Sequence, residues 1–444
     1  MSGLGSSDMH GWGVERWRGA VPTRLPAFRR RDLTAALPAL ALALAVGALV
    51  TRSPLAAVAL VSAIGLAAGV ARLGLLLAAQ LLVASLPWLV ILDDLIPALL
   101  RTLTTAAAAA AVLLLVTPLR YRNPTIVIGV TLFFAPVVGH LIFATDGEQF
   151  IQAAKYAVLP AIALAVASER SREVLPAFRN MVLGSALAAM AVHLAIAFSG
   201  LGSTGTYYGI GEKLGFAPSI PHELSLTAAV VAAAGLISAR RVSAQVAFFG
   251  LGALPAILSG VRAGLLSVVV LLVIFLLSSR LSTRKIAIVV AAVALVFATG
   301  AVDAITARFD REAGTFTSVD EAGSGRGTLY RIALEGWADA GPGAWVFGAG
   351  LRSIPRFELQ ELGAEFVAHT DILEVAVQLG LIGLLGWVLI WGAVLRAGLR
   401  NLVLVPVIVY AIVNGAIEYV APLVLALVLA AACQVPKPKE QPVE

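Results

Sequence analysis

Long apolar runs separated by short polar segments recur along most of the chain. A run of about twenty residues has the length that an α-helix needs to cross the hydrocarbon core of a bilayer. Because a spanning segment must satisfy its backbone polar groups internally, the pattern predicts an all-α fold, a polytopic transmembrane helical bundle. On this length criterion, about 12–14 spans are expected. They fall at about 33–50, 54–70, 73–92, 97–116, 125–145, 151–168, 181–198, 224–239, 243–259, 263–279, 286–302, 371–395, 400–416 and 419–433.

One long polar insertion, residues 303–370, interrupts this series late in the chain. Inside it, the apolar spacing of residues 328–340 predicts a short helix that ends at the Gly341-Pro342-Gly343 step. Residues 199–223 form a second, shorter polar connection. The chain is therefore expected to consist of a basic tail, a transmembrane region, an insertion with the candidate chemistry, a last group of spans and a second tail, at 1–32, 33–302, 303–370, 371–433 and 434–444.

Composition and charge agree with a membrane protein and exclude an ordinary soluble domain. Of the 444 residues, 59% are hydrophobic and 13% are charged, whereas a soluble domain has about 25% charged residues. The net charge is +6, but the basic residues gather in alternate short connections, so we interpret them as topology signals and expect no nucleic-acid partner. The positive-inside rule then predicts cytoplasmic termini and an extracytoplasmic insertion.

Cysteine and histidine usage gives no sign of a metal site or a cofactor. Cys433 is the single cysteine, so neither a disulfide framework nor a Cys-based metal site is expected. His140, His193 and His222 lie on different segments and lack metal-ligand spacing. The first apolar run does not have the form of a signal peptide, so we expect it to remain as a span. Lys155 is expected to snorkel at the outer end of its span.

Arginines at the predicted outer ends of the spans are candidates for an anion site. Arg262 lies between two spans, while Arg326 and Arg331 follow glycines at the start of the predicted short helix. Guanidinium groups and backbone N–H groups at a helix start suit a pyrophosphate. The alternative is that Arg262 is an interfacial residue and that the other two are solvated on a loop. Arg352, after the next glycine turn, is expected to be solvated.

His369 is a candidate general base, because it lies at the outer mouth of the following span and a neutral imidazole can take a proton from a hydroxyl. Glu365 would lie one turn earlier and orient the imidazole if the helix extends back, whereas Asp371 is expected to cap that helix. An interfacial or capping role is the alternative for His369. In the shorter polar connection, His222 and Glu223 are candidates for an orienting or acceptor-side role.

Four sequence steps occur in a fixed order within residues 200–390: Ser259 to Arg262, Gly325-Arg326-Gly327, Phe347-Gly348-Ala349-Gly350, and Ala368-His369-Thr370-Asp371 before a glycine-punctuated helix. Together they resemble the O-antigen ligase and O-antigen polymerase family of bacterial inner-membrane glycosyltransferases. The family often has Asn, Glu and a Pro-Asn step where this chain has Thr370, Gln378 and Pro221-His222.

The resemblance implies a metal-independent transfer of a saccharide from an undecaprenyl-diphosphate carrier to a hydroxyl acceptor, without a cofactor. It implies that Arg262 and Arg326 hold the donor diphosphate and that His369 activates the acceptor. The implied acceptor is lipid A-core, another glycan or a protein hydroxyl, as in lipopolysaccharide or surface polysaccharide assembly. The implied location is the bacterial inner membrane.

Three functional hypotheses remain open at this point. The first is a glycosyltransferase of this family, either a ligase or a polymerase. The second is a transporter or flippase for a lipid or a polysaccharide precursor, which predicts charges near span centres and broken helices in symmetric halves. The third is a noncatalytic scaffold for envelope assembly, which would tolerate the loss of His369 and Arg326.

Overall fold

The computed structural model describes residues 74–92, 96, 98–121, 124–144, 146–199, 205–206, 212–213, 221–239, 241–277, 282–298, 326–365, 369–396 and 402–434. The first tail, residues 435–444 of the second tail and the first two predicted spans, 33–50 and 54–70, lie outside the described residues.

The described chain is built almost wholly from helices, which confirms the predicted all-α class. The helices are α1 Leu75–Ile91, α2 Ala98–Leu115, α3 Thr125–Ile142, α4 Gly147–Ala167, α5 Ser171–Val174, α6 Arg179–Phe198, α7 Pro221–Ser238, α8 Val242–Leu258, α9 Arg262–Leu277, α10 Thr283–Ala298, α11 Arg326–Asp339, α12 Pro342–Phe347, α13 Ser353–Leu362, α14 Asp371–Arg396, α15 Val405–Val413 and α16 Val420–Ala432. Short 3-10 turns occupy Leu175–Phe178 and Leu402–Leu404. A two-residue antiparallel pair, β1 Gly205–Thr206 with β2 Glu212–Lys213, lies in the shorter polar connection.

Five helical stretches of the described chain are long and apolar enough to cross a membrane. They are Thr125–Ile142, Gly147–Ala167, Ser171–Phe198, Pro221–Ser238 and Asp371–Arg396. Shorter apolar helices occupy Leu75–Ile91, Leu100–Leu115, Val242–Leu258, Arg262–Leu277, Leu402–Val413 and Val420–Ala432. Each of these falls on a predicted apolar run, so the protein is a multi-pass membrane protein.

The last helix runs through the centre of the bundle. Every residue of α16 is buried, as expected for a helix that is apolar on all faces. Around it, glycines allow neighbouring helices to approach closely. A Cβ on Gly129 of α3 would lie 2.9 Å from the Ile390 backbone nitrogen of α14. Small residues at such crossings are the usual means of packing membrane helices, because dispersion contacts replace the hydrophobic effect there.

Helix α14 is broken at one position. Gly380 has φ 70° and ψ −173°, a conformation essentially restricted to glycine. The backbones of Val346 and Gly348, at the end of α12, pack directly against this glycine. The insertion therefore reaches down along α14 to its tenth residue and occupies the break with its own backbone.

The described part of the insertion contains three helices, of which α11 packs against both α12 and α13. Helix α11 confirms the short helix expected at 328–340, and Gly341 follows it with φ 89°. A small apolar cluster of Ala333, Ile354 and Val377 joins α11 and α13 to α14.

The two ends of the bundle separate as the charge pattern predicts. At one end, Glu169 N donates to Arg120 O (2.9 Å), and Ser238 Oγ lies 3.4 Å from Cys433 Sγ. At the other end, which we call the His369 end, α7, α9, α11 and α14 begin and the segment 414–419 connects α15 to α16. Which end faces the cytoplasm stays a prediction.

Candidate functional site

Arg326 is the first residue of α11, and its guanidinium contacts the end of α15. Nη1 donates to the backbone oxygen of Val413, and Nη2 donates to Asn414 Oδ1 at 3.0 Å. Val413 is the last residue of its helix, where backbone oxygens lack intrahelical donors. These contacts use two of the five N–H groups of the guanidinium. Within the described residues, no carboxylate forms an ion pair with Arg326.

Arg262 places a second positive charge beside Arg326. It is the first residue of α9, just after Gly260, whose φ is 68°. Burial is the main cause that lowers the pKa of Arg326, and the charge of Arg262 lowers it further, whereas Tyr330 and Tyr419 oppose the shift. The two positive charges repel each other, and a bound anion such as a phosphate would relieve that repulsion.

His369 lies within electrostatic range of Arg326, and its lowered pKa leaves it neutral at pH 7. Burial, followed by the charge of Arg326, lowers the pKa of the imidazole to about 4. Its φ of 54° is uncommon for a residue other than glycine. Nδ1 is buried and has no hydrogen-bond partner in the part of the chain that the structure describes. Buried polar atoms without partners are rare in proteins, so each calls for an explanation, and a bond to a substrate hydroxyl is one. The imidazole can therefore accept a proton.

Asn414 joins these groups to His222, and the sequence analysis did not identify it. Its side chain is 2% exposed. Nδ2 lies 3.1 Å from His222 Nδ1 and donates to the Tyr419 hydroxyl at 3.1 Å. The His222 ring stacks on Tyr419 with the ring centres 6.0 Å apart. The sequence did contain a signal for Asn414, namely an amide side chain between two apolar runs. A polar group in such a position requires hydrogen-bond partners.

Asp371 corrects the prediction that this residue caps its own helix. Its Oδ1 accepts from the backbone N–H groups of Ala416 (2.6 Å) and Ile417 (3.0 Å). Gly415, in the same turn, has a φ of 73°, a left-handed conformation that favours glycine. The carboxylate therefore attaches the start of α14, two residues after His369, to the turn that follows Asn414.

A group of charged and polar side chains lies close to the site residues. Lys155 Nζ lies 2.7 Å from Glu418 Oε2, and Gln152 Nε2 donates to the other carboxylate oxygen at 2.6 Å. The prediction that Lys155 snorkels is therefore wrong: a carboxylate inside the bundle holds it. Glu223, expected on the acceptor side, lies 3.8 Å from Arg101.

The structure does not bring Arg331 and Glu365 to the site. Arg331 pairs with Glu335 at 2.7 Å, and both side chains are more than half exposed. Five helical positions correspond to about 140° around the axis, so Arg331 points away from the face of Arg326. Glu365 pairs with Arg352 rather than with His369. Helix α14 begins only at Asp371, so the expected backward extension that would align Glu365 with the imidazole is absent.

Arg352 corrects a second expectation, that its side chain is solvated. Besides Glu365, it contacts Glu148 at the start of α4, at 2.5 Å. Its backbone N–H donates to Gln378 Oε1 at 2.6 Å, and Gln378 Nε2 donates to Glu374. The amide of Gln378 thus serves as acceptor and donor at once, which a carboxylate at this position does not do.

Metal ligands are not grouped in the described part of the chain. There, no three His, Cys, Asp or Glu side chains are placed to share one ion.

Comparison with known protein families gives one match to part of the chain. Residues 246–388 match the family model described as O-Antigen ligase. The matched region contains Arg262, Arg326 and His369, whereas His222 and Asn414 lie outside it. No curated protein matches the chain. Residues 246–388 of this multi-pass helical membrane protein are therefore similar to the O-antigen ligase family.

Proposed function

We propose that the protein is a glycosyltransferase that moves a saccharide from an undecaprenyl-diphosphate carrier to a hydroxyl acceptor at the extracytoplasmic face of the bacterial inner membrane. The observation that carries this proposal is that one turn joins Arg326, through Asn414, to the start of α14, through Asp371, two residues after His369. One group can take a proton there, and two others can stabilise a diphosphate.

The proposed reaction is a displacement at the anomeric carbon of the donor sugar. The acceptor oxygen attacks this carbon, and His369 takes the hydroxyl proton as the new bond forms. The bond from the anomeric carbon to the diphosphate oxygen breaks, and its electron pair stays on that oxygen. Arg326 and Arg262 stabilise the charge that develops on the leaving diphosphate. In this proposal the reaction needs no metal ion and no cofactor.

The arginine contribution has a defined expected size. Loss of one preorganised donor to a developing oxyanion typically costs about 2.7–4 kcal/mol, or a roughly 100- to 1000-fold lower rate. Arg326 is anchored before any substrate binds, because the α15 terminus holds its Nη1 and Nη2 atoms. A group fixed before the substrate arrives needs little rearrangement during the reaction.

Two observations favour transport of a lipid-linked saccharide as the second candidate function. Helix α14 is broken at Gly380, and the Lys155–Glu418 pair lies inside the bundle. Broken helices and intramembrane charges are common in transporters. In this protein, however, the backbone of Val346 and Gly348 packs against the break.

The test uses purified protein in nanodiscs with an undecaprenyl-diphosphate oligosaccharide and separate acceptors: lipid A-core, a second lipid-linked repeat unit and a protein. Release of the lipid diphosphate is measured with and without EDTA. We expect release that survives EDTA, that His369→Ala abolishes and that Arg326→Ala lowers roughly 100- to 1000-fold. Arg331→Ala is the matched control and should retain activity, because Arg331 is exposed and paired with Glu335.

The acceptor that supports release distinguishes a ligase from a polymerase. Full activity of both His369→Ala and Arg326→Ala would remove the proposed site. Movement of the intact lipid-linked oligosaccharide between leaflets, without release of diphosphate, would favour the transport function instead.

A further inference from the structure

Helix α12 exposes three adjacent apolar side chains in the middle of the polar insertion. Trp345, Val346 and Phe347 are 51, 40 and 56% exposed, and none of the six residues of α12 is buried. Single exposed apolar residues are ordinary, but a contiguous group with two aromatic rings marks a surface that contacts another apolar phase or molecule.

Hydrogen bonds on both sides hold α12 in place, so its exposure is a property of the fold. Trp337 Nε1 donates to Ala344 O at 2.8 Å, and His140 Nε2 lies 2.8 Å from Phe347 O. Just after the helix, Ala349 N donates to Val377 O at 2.8 Å. The apolar side chains are thus presented by a backbone fixed to both α3 and α14.

The residues that anchor α12 lie next to side chains that face lipid. Phe143, three residues after His140 at the end of α3, is 81% exposed. Leu381, directly after the break at Gly380, is 53% exposed. Since α3 and α14 are long and apolar enough to span the membrane, we expect their exposed apolar side chains to face hydrocarbon. The apolar group of α12 therefore adjoins the lipid-facing surface of the bundle.

We propose that α12 lies in the membrane interface, with Trp345, Val346 and Phe347 against the lipid acyl chains. Aromatic side chains are enriched at that depth, and short amphipathic segments bind there by burying their apolar face. Three side chains offer much less area than the roughly 800 Å² per partner of a stable protein interface. Lipid is therefore the favoured partner, and a second copy or another protein is the competing one.

Placing α12 in the membrane interface changes the expected position of the insertion. The expectation that residues 303–370 lie entirely outside the membrane would not hold for α12. Trp337 of α11 donates to Ala344 of α12, so the helix that begins with Arg326 is attached to the interfacial segment. The inference concerns lipid contact only and is independent of the proposed reaction.

The experiment measures the depth of a nitroxide label in nanodiscs that hold one copy of the protein. Cys433→Ser removes the native thiol and retains a hydroxyl toward Ser238. Phe347→Cys is then labelled, and collision rates with oxygen and with a water-soluble nickel chelate are compared. The matched control is Glu361→Cys, at an exposed position of α13. Val346→Cys gives an independent reading within α12.

We expect oxygen to relax the labels at residues 347 and 346 more than nickel does, and the reverse at residue 361. Nickel access at 347 equal to that at 361 would place α12 in water and overturn the proposal. A label shielded from both reagents would show that protein covers the surface, which also overturns it. Elution as a single species and wild-type thermal unfolding show that each labelled variant is folded.

Discussion

Asn414 Oδ1 accepts a hydrogen bond from Arg326 Nη2 at 3.0 Å, and this contact determines how the whole amide is oriented. Because arginine has only donors, the oxygen must face it, and the amide nitrogen must face His222 and Tyr419. His222 Nδ1 is then the acceptor, so the neutral imidazole carries its proton on Nε2. A residue outside the matched family region thus positions an arginine inside it.

Replacing Asn414 should therefore lower activity through Arg326. In Asn414→Leu, Nη2 loses its acceptor; a hydrogen bond to a charged group contributes about 1.5–3 kcal/mol, so we expect a roughly 10- to 150-fold lower kcat/KM. Combined with Arg326→Ala, the change should cost little more, because both act through one guanidinium. Fully additive losses in this double-mutant cycle would contradict the positioning role.

His222 supplies the matched control for the same network. In His222→Asn, the side-chain oxygen takes the place of Nδ1 and can still accept from Asn414 Nδ2. In His222→Gln, the amide extends toward the Nε2 position and loses that contact. We expect the first variant to keep the higher kcat/KM and the higher Tm. The opposite order would show that the bond to Asn414 is not what His222 contributes.

The pH dependence of His369 has a defined sign. Burial and the charge of Arg326 lower its pKa from 6.5 to about 4, so the folded state binds fewer protons than the unfolded state between these values. This group's contribution to stability is complete above pH 6.5 and is lost as the pH falls toward 4. We expect the difference in Tm between wild type and His369→Gln to change across this window.

The pH dependence of the activity should also be set by the titration of His369. The base is neutral above pH 4, so kcat/KM should stay level through pH 6.5 and decline only as the pH approaches 4. An acid limb centred near pH 6.5 would show that the imidazole titrates normally and that its surroundings do not act as described.

The Lys155–Glu418 pair should contribute to the stability of the His369 end. Lys155→Met leaves a carboxylate that is 13% exposed without its cationic partner, although Gln152 still donates to it. Breaking a fully buried pair costs about 3–5 kcal/mol, and the 30% exposure of Lys155 reduces this to roughly 1–3 kcal/mol. Adding Glu418→Gln should restore much of the lost Tm. A double variant less stable than Lys155→Met would contradict this account.

The break in α14 gives a prediction with a control in the same helix. Gly380→Ala forces an unfavourable backbone conformation and a contact with the backbone of Val346 and Gly348. We expect a loss of about 2–4 kcal/mol in unfolding free energy. Gly392 has no neighbour within 4 Å of an added Cβ, so Gly392→Ala should be neutral or stabilise by about 0.5–1 kcal/mol. Equal Tm values for both variants would count against a fixed break.

The helices themselves could be predicted from the sequence with good accuracy. The runs at 125–145 and 371–395 became Thr125–Ile142 and Asp371–Arg396, and the short helix at 328–340 became Arg326–Asp339. This succeeds because the bilayer acts as a solvent with a fixed thickness, so a spanning helix must be apolar over a fixed length. The alternating charges likewise predicted which connections share an end of the bundle.

The partners of the polar side chains were decided by the tertiary structure. Arg326 bonds Asn414 and Asp371 bonds Ala416, although 88 and 45 positions separate these residues in the chain. Glu365 was predicted to meet His369 because it is near in sequence, but it pairs with Arg352. The length of an apolar run shows that a helix can cross the lipid bilayer. A buried donor, by contrast, meets its acceptor only where two helices pack together. Nothing in the local pattern encodes which helices those are.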